Sequence, residues 1–79
     1  MFQNTRAQGT PVQGVKFFPG DKIINVASLI QYLVVMAPDK VKIEATNEPA
    51  YLYTPLDVPP YIWWVRPATE MEDGRFVRV

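Results

Sequence analysis

A chain of 79 residues, 48% of them apolar, is long enough for one small domain and too apolar for a disordered tail. It has neither cysteine nor histidine, which excludes disulfide staples, Cys/His zinc sites, and thiol or histidine-assisted catalysis together. Eight basic residues balance eight acidic ones, so the chain lacks the positive surplus that non-specific nucleic-acid binding draws on.

Residues 1–13 are polar, contain Gly9 and Pro11, and show no period, which predicts a flexible N-terminal arm with Phe2 as its aromatic. Residues 14–79 then form a single small domain. Residues 15–18 read as a short strand. Pro19 and Gly20 supply the central pair of a type II turn, because proline fixes φ at the first position and glycine accepts positive φ at the second. Residues 21–24 return as the second strand of a hairpin. From residue 25 the pattern changes: Val26, Leu29, Ile30, Leu33 and Val34 fall on one helix stripe, spaced at i, i+3, i+4, i+7 and i+8. That spacing predicts an amphipathic helix over about residues 25–36, capped by Asn25 and stopped by Pro38.

Asp39 and Lys40 turn the chain. Residues 41–45 alternate apolar and charged, the mark of a half-buried strand. Residues 46–49 are a turn cluster, and Tyr51, Leu52 and Tyr53 make a brief strand closed by Pro55. Pro55, Pro59 and Pro60 predict an extended crossing poor in backbone donors. Residues 61–66 favour a strand, with Tyr61, Trp63 and Val65 on one face and Ile62, Trp64 and Arg66 on the other. Asp73 and Gly74 suit a hairpin turn between residues 70–72 and 75–77. One helix packed on a small, mostly antiparallel sheet is an α+β fold, a two-layer sandwich. The longest apolar run, residues 33–37, is too short to span a bilayer, and no signal-peptide pattern opens the chain. The expectation is a soluble, cytoplasmic protein with no membrane partner.

Little in this chain carries reaction chemistry. Ser28, the only serine, is a cap or polar-face residue with no histidine to activate it. The glycines at 9, 14, 20 and 74 never cluster into a phosphate-cradling loop. Glu70, Glu72 and Asp73 supply too few oxygens for a hard cation and read as a solvated face neutralised by Arg75 and Arg78. The sequence therefore predicts no catalytic residue, no metal and no cofactor.

The constellation that stands out is Tyr61, Trp63, Trp64, Arg66, Arg75, Phe76 and Arg78. Aromatic faces beside guanidinium groups make protein–protein hot spots, and also sites that stack a ring and grip a phosphate. Adjacent tryptophans on a strand point to opposite sides, so one is expected to enter the core and the other to face away from it. With large apolar side chains in plenty and no other staple, this predicts a small non-enzymatic binding protein acting as a homo-oligomer. It would be of the inhibitor, adaptor or accessory type, virus-encoded modulators among them, and would present these strands to a partner protein. A second reading is an oligomer that holds an anionic, ring-containing ligand such as a nucleotide, with Arg66, Arg75 or Arg78 on the phosphate. A third is a structural subunit of a larger assembly. Gln31, Tyr32 and Val35 lie on the uncharged side of the expected helix, which predicts a second interface there.

Overall fold

The structure, a computed structural model, describes residues 15–79. The expected arm, residues 1–13, lies outside the described residues. Six strands and one helical turn follow in order: β1 (Lys22–Asn25), β2 (Gln31–Met36), β3 (Lys42–Ile43), β4 (Glu48–Pro55), β5 (Trp64–Pro67), α1 (Ala68–Met71) and β6 (Phe76–Arg78). The sheet runs β3-β4-β2-β1-β6, with β5 also paired to β4, and every pairing is antiparallel. β2 and β5 both pair with Leu52 and Tyr53, so they occupy opposite edges of β4. An antiparallel sheet with one short helix is compatible with the α+β class. Among the described residues no helix is long and apolar enough to cross a membrane.

The helix expected over residues 25–36 does not form. That segment is instead the second half of a hairpin, in which β1 turns through residues 26–29 into β2. The Asn25 side chain does cap, but it caps the turn: the Ala27 and Ser28 N–H groups donate to its Oδ1 at 2.9 and 3.0 Å. Ser28 Oγ accepts the Ile30 N–H at 3.2 Å, and Leu29 takes a left-handed φ of 63° that no continuing helix could contain. Val34 and Val35 are β-branched and sit beside Tyr32, and all three favour a strand. The sheet also supplies a partner on each side of β2, β1 and β4. Tertiary pairing overrode a helix-like spacing. The two-layer sandwich fails with it, since the one helical turn is α1.

That turn is a second correction. The strand expected over residues 70–72 does not form: β5 ends at Pro67, which is still extended at ψ 141°, and Ala68, Glu70 and Met71 that follow are good helix formers. α1 buries Met71. Elsewhere the turn chemistry acts as the residues suggest. Asp21 N–H donates to the Phe18 carbonyl at 3.0 Å, with Gly20 at φ 93°, so Pro19 and Gly20 form the type II turn. The strand expected over residues 41–45 shortens to β3, while Tyr51, Leu52 and Tyr53 sit in a longer strand, β4.

The core lies on one face of the sheet. Directly opposed residues share a face, and the pairs Ile23↔Tyr32, Val34↔Tyr53, Asn25↔Phe76 and Tyr51↔Arg66 define it. Phe17 and Met71 cover that face from outside the sheet. Residues 15–18 are not a strand; they are tied down by side chains. The Tyr51 hydroxyl accepts the Lys16 and Phe17 N–H groups, both at 3.1 Å, and donates to Glu72 Oε2 at 2.6 Å. Arg78 lies over the Phe17 ring and donates to the Lys16 carbonyl and to Asp21 Oδ2. The N–H of Phe18 and the guanidinium of Arg78 together hold the Asp21 carboxyl below its ordinary range.

Candidate interaction surface

Three aromatic rings fill the centre of the core face. Tyr32, Tyr53 and Phe76 pack edge-to-face with centroids 5.2 to 5.9 Å apart. Phe76, expected in the binding constellation, is therefore a core residue, 1% exposed. Arg66 closes this cluster: it stacks over Phe76, its Nε donates to the Tyr53 hydroxyl at 3.2 Å, and Nη1 reaches Glu70 at 3.5 Å. Its guanidinium is turned inward along the core face.

With those positions taken, the bulky run that follows the Pro-rich crossing has nowhere to go but outward. Trp64 opposes Tyr53 across β4 and β5 and sits at the rim of the core face, 48% exposed. Trp63, 63% exposed, precedes it at the mouth of the crossing. The expectation that one tryptophan enters the core is overturned: neither does. Tyr61 is 59% exposed, and Ile62 and Val65 are exposed as well, so five consecutive large apolar side chains face solvent. Thr54 Oγ1 donates to the Ile62 carbonyl at 3.0 Å and ties this run to β4.

The run lies along a sheet edge. In β4 the backbone N–H of Ala50 points to Val41, and beyond its end that of Leu56 points to Gln31. Even-numbered residues therefore bond toward β2 and β3, and Tyr51 and Tyr53 bond toward β5. Arg66 and Trp64, their opposite numbers, spend their backbone groups inward. By alternation the N–H and C=O groups of Trp63 and Val65 point away from the sheet, and among the described residues no strand pairs with them.

The remaining expected residues are placed elsewhere. Arg75 holds Asp73 at 3.0 Å and Glu70 at 3.6 Å, and Arg78 holds Asp21 at 2.9 Å. Arg75 and Arg78 lie at β6, at the end of the sheet path away from β5. Glu70 nevertheless receives both Arg66 and Arg75, so the fold keeps these two arginines and Phe76 together around one carboxylate and sets only Arg78 apart, over Phe17. Gln31, Tyr32 and Val35 belong to β2, an interior strand. Tyr32 faces the core cluster and Gln31, its neighbour, the other side, so the helix face that grouped them does not exist. Sequence reasoning missed the Tyr51–Glu72 anchor, for which the spacing of 21 residues gives no local signal.

Comparison with protein-family models, with curated proteins and with solved structures finds no significant match.

Proposed function

We propose that this chain is a small non-enzymatic binding module, of the inhibitor, adaptor or accessory type, that acts as a homo-oligomer through the surface built on residues 61–65. The observation that carries the reading is the unbroken exposure of Tyr61, Ile62, Trp63, Trp64 and Val65 along a strand edge. Exposed apolar patches of this kind mark interaction sites, and tryptophan and tyrosine dominate the energetics of such sites. The pairing of Arg66, Arg75 and Arg78 with carboxylates supports an apolar partner surface over a phosphate-bearing ligand. Sedimentation velocity across the micromolar range tests the reading, with the Trp63→Ala/Trp64→Ala double variant as comparison. The wild-type chain is expected above the monomer mass, and the double variant at it with an unchanged circular dichroism spectrum. A wild-type monomer whose tryptophans are freely quenched by acrylamide would overturn it.

A further inference from the structure

We propose that the partner at this edge is a second copy of the chain, docked by antiparallel pairing of β5 with its twin about a two-fold axis at Trp64. The inference rests on the binding surface proposed above and adds its occupant and register. The free groups are backbone N–H and C=O of Trp63 and Val65; water can solvate them singly, but an extended strand is the partner that pairs the row as a ladder and covers the apolar side chains with it. Two symmetric registers bring outward-facing residues together within residues 63–67; Trp63 on the axis would instead set Val65 against Tyr61, which lies outside β5. With Val65 on the axis, Trp63 would oppose the partner's Pro67, which has no N–H, and the Trp63 carbonyl would stay unpaired. With Trp64 on the axis, Trp63 opposes the partner's Val65, both have donors, and four backbone hydrogen bonds close across the seam by symmetry.

The same register satisfies the side chains. Trp64 meets the partner's Trp64 at a non-hydrogen-bonded position, where Cα atoms approach to about 4.5 Å and aromatic pairs interact best. On the other face Met36 lies opposite Leu52 and Leu52 opposite Val65, an apolar row that the partner's Trp63 would extend across the seam. Area points the same way. At their exposures residues 61–65 offer on the order of 500 Å² per chain, or roughly 1,000 Å² for the pair, which reaches the lower bound of a specific interface.

Two kinds of variant test this. Val65→Pro removes an N–H that does not serve β4, so the fold should survive while the dimer is lost; Val65→Ala keeps the N–H and should still dimerise. In a chain without native cysteine, Trp64→Cys should give a disulfide-linked dimer under mild oxidation, because the axial Cα separation suits a disulfide. Val65→Cys, whose twin is off the axis, should not. A Val65→Pro protein that still dimerises while Trp63→Ala/Trp64→Ala does not would overturn the strand pairing and leave the binding surface standing. Monomeric wild-type protein would remove both. Dimers that form only after residues 1–14 are deleted would give the edge to that segment and overturn the second-copy inference.

Discussion

The Tyr51 hydroxyl sits against the covered side of the core and uses its full bonding capacity, accepting two backbone N–H groups and donating to Glu72. Burial, with the Glu72 carboxylate next, pushes its pKa up to about 12. An unfolded tyrosine ionises near about 10. A folded-state value raised above the unfolded one contributes stability that is complete below about 10 and is lost as pH rises toward 12. In an alkaline titration the tyrosinate absorbance of Tyr51 should appear only as pH rises toward 12, and it should coincide with loss of the near-ultraviolet dichroism. Tyr51→Phe should abolish that coincidence. It also strands the buried Phe17 N–H, whereas Lys16 N–H keeps Glu72 as acceptor at 3.2 Å. The expected cost is about 1–3 kcal/mol in denaturant unfolding, and an unchanged midpoint would show that the anchor does not hold residues 15–18.

At the scale of elements, the hairpin of β1 and β2 is where spacing and structure part. Leu29 pays for a left-handed backbone with no packing in return, since its side chain is 69% exposed. Leu29→Gly should therefore raise stability by about 0.5 kcal/mol, the relief of the left-handed strain less glycine's extra chain entropy. Had residues 25–36 been a helix, the same change would cost about 1 kcal/mol, so the sign measured by thermal unfolding decides between the two. The turn at Pro19 and Gly20 was legible because its chemistry is complete within two residues. The helix-like spacing misled because five apolar positions at i, i+3 and i+4 intervals also satisfy a strand once a turn resets the count at Leu29. β2 is decided by β1 and β4, whose contributions no window of a dozen residues contains. The aromatic edge was half legible for the same reason. That residues 61–65 are too bulky to bury follows from the residues themselves. That neither tryptophan finds a core position depends on Tyr32, Tyr53 and Phe76 having filled it, and those come from three separate strands.

For the whole molecule the decisive pairing joins the ends of the described chain: β6 lies against β1, with Ile23 opposite Arg78 and Asn25 opposite Phe76. A domain of this size carries about 4–12 kcal/mol of stability in all, and Phe76→Ala alone should cost about 3–5 kcal/mol as a core aromatic. So thin a margin makes association part of the fold's stability. If two copies share the β5 edge, unfolding releases two chains from one dimer, and mass action favours the folded state as concentration rises. Each tenfold increase should add about 0.7 kcal/mol per chain, half of the ~1.4 kcal/mol that a factor of ten represents. For a domain of this length that moves the melting midpoint up by about 3–5 °C. Val65→Pro should melt at one temperature whatever its concentration, because it lacks the N–H that joins the copies. Calorimetric scans of both proteins over a hundredfold range of concentration give the comparison. A wild-type midpoint that stays fixed would mean that the exposed run from Tyr61 to Val65 adds nothing to stability by self-association, and the sheet would then have to stand on its single covered face.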